Sequence, residues 1–334
     1  MEARFYQLDE YLALDREPQP WVIHSLVPVG GLVNVFGKPK TGKSFIVLDW
    51  CKAVAQGLGS WFGYQIQKPG PVAYLQVDTP REEWARRLEH VRKECARDNI
   101  PLWIADMWLV PNFPVNVLEK DDPTILWLKA ELERIQPVMI VIDTLREVHG
   151  GDEDNSTVMR NVISALVGAC RPSAIVIVSH ARKDQAAFQD SGGDDMMDQA
   201  RGSSYVAGRM DVIVKVSPKR MMFKGRATGQ VTETIQQDKE TGWISLQRDE
   251  DGSDKVIEEI WRSKPGLSLH AMAEILAKKL GFSVSTGERR IRAWRDTLDQ
   301  QEQERMTRNG KRHEQQQQGE LSAAAANAGI DTDE

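Results

Sequence analysis

Residues 37–44 read GKPKTGKS, a glycine-framed loop wedged between two apolar segments. LVNVF (32–36) precedes it, β-branched and almost continuously apolar, the character of a strand covered on both faces. SFIVLDWCKAVAQGL (44–58) follows it with helical spacing. A strand that turns straight into a helix through Gly37 and Gly42 aims its backbone N–H groups at one spot, and the helix adds the positive end of its dipole there. The loop fits G-x-x-x-x-G-K-[ST] in the strand–loop–helix context that the pattern requires. A chance glycine-rich turn would not come with both flanks. In this setting Lys43 is placed to reach the β- and γ-phosphates of a nucleotide, and the Ser44 hydroxyl to sit on Mg²⁺. Gly37, Lys38, Pro39, Lys40, Thr41, Gly42, Lys43, Ser44 and Phe45 are therefore the expected ATP-binding stretch.

Four more apolar runs read as buried strands: PVAYLQV (71–77), VMIVID (138–143), AIVIVS (174–179) and DVIVKV (211–216). Helical patterns lie between them, in REEWARRLEHVRKECA, TILWLKAELERI and NSTVMRNVISALVGAC. Strand–helix alternation predicts an α/β domain of P-loop type with a mainly parallel central sheet, over residues 20–248 after an N-terminal extension of residues 1–19. The composition changes after RDEDGSD (248–254). Residues 255–298 read as wholly helical, and 299–334, with glutamine and alanine runs and few large apolar residues, read as a disordered tail.

Hydrophobic residues make up 41% of the 334, enough for a sizeable core, and the net charge of -6 argues against a surface that coats nucleic acid everywhere. Cys51, Cys95 and Cys170 are far apart and in no metal-ligand spacing, so a reduced, cytoplasmic protein is expected. The N-terminus has no apolar core, hence no signal peptide is expected, and no run approaches the ~20 residues that cross a membrane.

Carboxylates mark the strand ends. VMIVID closes on Asp143, the Walker B pattern, whose acid holds Mg²⁺. The second strand ends at Asp78, where a carboxylate can orient the attacking water. The plain alternative is a helix cap or turn, since Thr79-Pro80 follows. Glu82 and Glu83 are fallbacks. His180 at the tip of the fourth strand can sense the γ-phosphate; a satisfied, partly buried histidine is its alternative. A long polar loop then carries Lys183 and Arg201, cations that could act on a neighbouring subunit's nucleotide or simply be solvated.

These landmarks together resemble a family. PWVIHSLVPVGGLVNVFGKPKTGKS, DTLREVHGGDEDNS (143–156), SHARK (179–183) and RGSSYVAGRMD (201–211) are similar, in that order, to the RecA-like ATPases of the RepA type found in plasmid and phage hexameric replicative helicases and their relatives. The resemblance covers residues 20–248. It implies a RecA-like fold, ATP hydrolysis with Mg²⁺, catalytic roles for Lys43, Asp78, Asp143 and His180, and Ser44 and Asp143 on the metal. It implies further that Arg201 is an arginine finger and Lys183 a second cation, both acting in trans within a homo-oligomer, a hexameric ring. This chain has Asp78-Thr79 where the family commonly has Glu-Asp.

The C-terminal segment has its own character. LHAMAEILAKKL (269–280) is an amphipathic helix, Ser285 to Glu288 reads as a capping box, and Ile291, Trp294 and Leu298 share one face of a third helix. From Lys255 to Asp296 nine Lys/Arg stand against five Asp/Glu, a local charge of about +4. The arrangement is that of a helix-turn-helix, with Arg289, Arg290, Arg292 and Arg295 as expected DNA-phosphate contacts. The alternative is a packing module with a solvated basic face; Trp294 is expected in its core. The whole reads as an ATP-driven motor acting on single-stranded or forked DNA, a replicative helicase, with an initiator or loader protein as a further partner. The other readings are a RecA-like filament or strand-exchange protein, and an ATP-dependent assembly switch that binds DNA without unwinding it.

Overall fold

A computed structural model describes residues 5–12, 19–95, 99–107, 122–181, 204–226, 228–238, 241–246, 253–264, 266–280 and 284–295. Its centre is a nine-stranded sheet. The five strands read from the sequence are β3 (Leu32–Gly37), β6 (Val72–Gln76), β8 (Met139–Asp143), β9 (Ala174–His180) and β10 (Val212–Val216). With β7 (Leu102–Asp106) they run parallel in the order β10-β3-β9-β8-β6-β7. The sheet then continues antiparallel from β10 through β11 (Arg220–Gly225), β12 (Gln230–Gln237) and β13 (Ile244–Leu246). In this α/β arrangement β9 separates the phosphate-loop strand β3 from the Asp143 strand β8. Two short hairpins, β1 (Trp21–Ile23) with β2 (Val27–Pro28) and β4 (Ser60–Trp61) with β5 (Tyr64–Gln65), lie outside the sheet.

The strands are covered on both faces, which is why their sequences are nearly continuously apolar. Side chains alternate all the same. Val33, Val35, Met139, Val141, Val176 and Val178 face one core, with the helices α2 (Lys43–Gln56) and α3 (Arg81–Glu94). Leu32, Phe36, Ile140, Ile142, Ile175 and Ile177 face the other, with α4 (Pro123–Ile135), α5 (Ser156–Cys170) and α6 (Ser204–Arg209). Local chemistry starts the helices where the sequence says. Asp122 caps α4 by accepting from the Thr124 N–H at 2.8 Å with Pro123 in the first turn, and Asn155 caps α5 by accepting from Thr157 at 2.9 Å and Val158 at 3.2 Å. A short helix α1 (Leu8–Leu12) precedes the sheet, with Phe5, Leu8, Tyr11 and Leu12 exposed.

The C-terminal segment is three helices, α7 (Ser253–Ser263), α8 (Leu269–Leu280) and α9 (Val284–Arg295), around a core of their own. Ile257, Ile260, Met272, Leu276, Ile291 and Trp294 fill it, and Trp261 meets Trp294 edge to face at 5.4 Å. Trp294 is thus core. Gly287 lets α8 and α9 cross closely, because a Cβ there would stand 2.8 Å from the Ala273 carbonyl oxygen. Of the expected capping box, Glu288 engages His270 Nδ1 at 2.8 Å and Arg292 at 3.1 Å. Among the described residues no helix is long and apolar enough to cross a membrane.

Candidate active site

The loop after β3 is tied to itself. Lys43 Nζ donates to the carbonyls of Gly37 at 3.2 Å and Lys38 at 2.9 Å, and the Thr41 hydroxyl donates to the Lys38 carbonyl at 2.9 Å. Gly42 makes the turn into α2 at φ 88°, a left-handed conformation that glycine adopts without strain. A Cβ there would also stand 2.2 Å from Ile244 Cδ1 of β13, so that side chain would have to move. Thr41 and Lys43 are buried, Ser44 and Phe45 are half-buried, and Lys38, Pro39 and Lys40 are exposed.

Parallel pairing brings the other strand ends to the same edge. His180 lies opposite Gly37 in the β9–β3 register, and the Ala181 N–H donates to the Gly37 carbonyl at 3.2 Å. Asp143 lies opposite Gln76 at the end of β6, and its carbonyl accepts from the Val77 N–H at 2.9 Å. Asp78 follows at once, exposed at the strand tip. Asp143 is only 3% exposed, and its carboxylate accepts a hydrogen bond from the Tyr74 hydroxyl at 2.6 Å, with the Ser44 hydroxyl near enough to favour its charged form. Burial raises the Asp143 pKa against those bonds and the nearby Lys43 charge. Burial likewise lowers the Lys43 pKa, opposed by Asp143 and then Asp78. Lys43, Ser44, Asp78 and Asp143 therefore form one electrostatic cluster.

Sequence reasoning did not find the side chains that hold this cluster. Tyr74 presses its ring on Trp84 of α3 at 4.9 Å. Gln76, 1% exposed, grips the turn that carries Asp78: its Nε2 donates to the Thr79 carbonyl at 2.7 Å and to Asp106 at 3.0 Å, and its Oε1 accepts from the Thr79 N–H at 2.6 Å. A polar Gln inside an apolar strand was the available signal. Of the fallback carboxylates, Glu83 is paired with Arg87 on α3 and is exposed, as is Glu82. Beside the loop, Phe45 takes the Arg87 guanidinium over its ring at 4.5 Å and meets Trp243 at 5.5 Å. Both rings line an open cavity of about 460 Å³ with Arg86, His90 and Lys93.

Lys183 and Arg201 lie outside the described residues. The segment after Asp143 is anchored by buried Val148, His149 and Glu153, and presents Arg146, Glu147, Asp152 and Asp154. The four arginines of α9 are partly turned inward. Arg289 pairs with Glu233 of β12 at 2.9 Å and lies over the Tyr64 ring at 5.1 Å, while the Tyr64 hydroxyl donates to the same carboxylate. Arg292 pairs with Glu288, and Arg290 and Arg295 are half-buried.

The donor set fits a nucleotide with a hard divalent cation: a hydroxyl beside a carboxylate, an ammonium near them, and a helix N-terminus at the loop. Residues 2–186, more than half of the chain, match the family described as AAA domain. No curated protein matches the sequence. Among solved structures the chain is similar to a KaiC-like protein of the hyperthermophilic archaeon Pyrococcus horikoshii, at 13% identity and a TM-score of 0.43 over 68% of this chain and 93% of that one.

Proposed function

The chain belongs to the AAA domain family, and we propose that it is an ATP-hydrolysing motor that works on DNA, a replicative helicase of the plasmid or phage type. The observation that carries the hydrolytic part is the placing of Lys43 and half-buried Ser44 beside the buried Asp143, with the Asp78 charge acting on both Lys43 and Asp143. The loop of residues 37–44 would hold the ATP phosphates, and Ser44 and Asp143 would hold Mg²⁺. Bound Mg²⁺ supplies charge neutralisation for the transferring phosphoryl group. Lys43 takes up further charge on the phosphates, and Asp78 orients the attacking water. His180, in register with Gly37 of the loop, senses the γ-phosphate. The cavity beside Phe45 offers aromatic and cationic faces to a base. Arg201 and Lys183 from a neighbouring copy complete the site in a ring. The DNA-directed part rests on the order of the sequence landmarks and on the helix-turn-helix arrangement of α7–α9.

The test is ATP-dependent strand displacement on a forked duplex, with Lys43→Ala as the blank. Unwinding by the wild type alone supports the helicase. Hydrolysis without unwinding favours a second reading, an ATP-dependent assembly switch. The inward engagement of Arg289 with Glu233 and Tyr64 is the observation in that reading's favour.

A further inference from the structure

Tyr74 has more than its ring needs. The ring is core, 1% exposed and tilted against Trp84, and phenylalanine would fill that space as well. The hydroxyl, however, is aimed along the sheet to the neighbouring strand and donates to Asp143 Oδ2 at 2.6 Å. A carboxylate at a strand end can rotate about two side-chain bonds. One that is fully buried and held by a short hydrogen bond through one named oxygen cannot do so freely.

We propose that Tyr74 is a positioning residue for the divalent cation: by occupying Asp143 Oδ2 it sets the plane of the carboxylate so that the remaining lone pairs face Ser44 and the metal. Trp84 backs the ring from α3, the helix that follows the Asp78 turn, so the orientation of the carboxylate is tied to the packing of that helix. The inference rests on the nucleotide reading of this site.

The test is binding of a fluorescent ADP analogue to the full chain, measured in EDTA and then across a Mg²⁺ titration. Tyr74→Phe removes the hydroxyl alone. The expected result is unchanged affinity in EDTA and a half-saturating Mg²⁺ concentration raised roughly tenfold, the worth of one hydrogen bond to a charged group. An unshifted Mg²⁺ midpoint would overturn the inference, because a purely structural hydroxyl would lower thermal stability and leave the metal alone. If Tyr74→Phe does not fold, Trp84→Phe loosens the ring with the hydroxyl kept. A midpoint moved about two- to threefold upward there supports the inference, and an unmoved one overturns it. Nucleotide binding by the wild type that is indifferent to Mg²⁺ would instead remove the nucleotide–metal reading of the site, and the inference with it.

Discussion

At the phosphate loop, Lys43, Ser44, Asp78 and Asp143 come from three strand ends; Lys43 is held by the loop's own carbonyls, Asp143 by Tyr74, and the Asp78 turn by Gln76. In the helical module, Arg289, Arg292, Glu288 and His270 also form charged contacts, yet these close on the module or on the neighbouring sheet. The first set points its chemistry at a common place beside a helix N-terminus and an exposed strand tip. The second directs much of its charge inward. Charged residues count toward a site when they converge with room beside them, and toward packing when their partners already stand within the chain.

The sharpest way to break the first half of that comparison is Asp78→Asn. Phosphate release should fall by about 10²-fold or more with nucleotide affinity kept, as for loss of a base. Glu82→Gln and Glu83→Gln should leave the rate within about twofold, since neither is held at the cluster. An unaffected Asp78→Asn enzyme would return that residue to a turn. Next in size is complementation. Arg201→Ala and Lys43→Ala chains, each inactive alone, should regain a fraction of the ATPase rate when mixed, and verified mixed oligomers without rescue would end the shared-site reading.

Glu233→Gln sharpens the second half. Glu233 and Arg289 are 17% and 15% exposed, between a surface and a buried pair. The loss is expected to be about 1–2 kcal/mol, a fall of roughly 2–4 °C in Tm by calorimetry. If α9 binds DNA, freeing Arg289 should also raise duplex affinity at low salt; unchanged affinity would make α9 a packing helix. The smallest effect is at His270. Its bond to Glu288 raises its pKa above the ordinary 6.5, with Glu274 and Glu288 charges adding to this. The contribution is full below about pH 6.5 and is lost as pH rises through the raised value. The Tm difference between wild type and His270→Ala should therefore shrink from about pH 5.5 to about pH 8.5, and a constant difference would assign the effect to packing.

What was legible in the sequence was local. Short apolar runs rich in Val and Ile predicted β3, β6, β8, β9 and β10, and helical spacing predicted α4 and α5. β7, with only intermediate and exposed side chains, and β12, with alternating polar residues such as Gln230, Thr232 and Thr234, carry no such run. Nor is it written in the local spacing that Glu288 engages His270 on another helix and Arg292 one turn on.

The phosphate loop, with its glycines, lysine and serine, was determined by the sequence alone, because backbone conformation and dipole act within a few residues. That Asp143 answers to Tyr74, that Gln76 holds the Asp78 turn, that Ile244 roofs Gly42 and that Arg289 reaches Glu233 were decided only by the tertiary structure. Each of these joins residues brought together by strand order or helix docking, and neither order nor docking is written in the spacing of either partner.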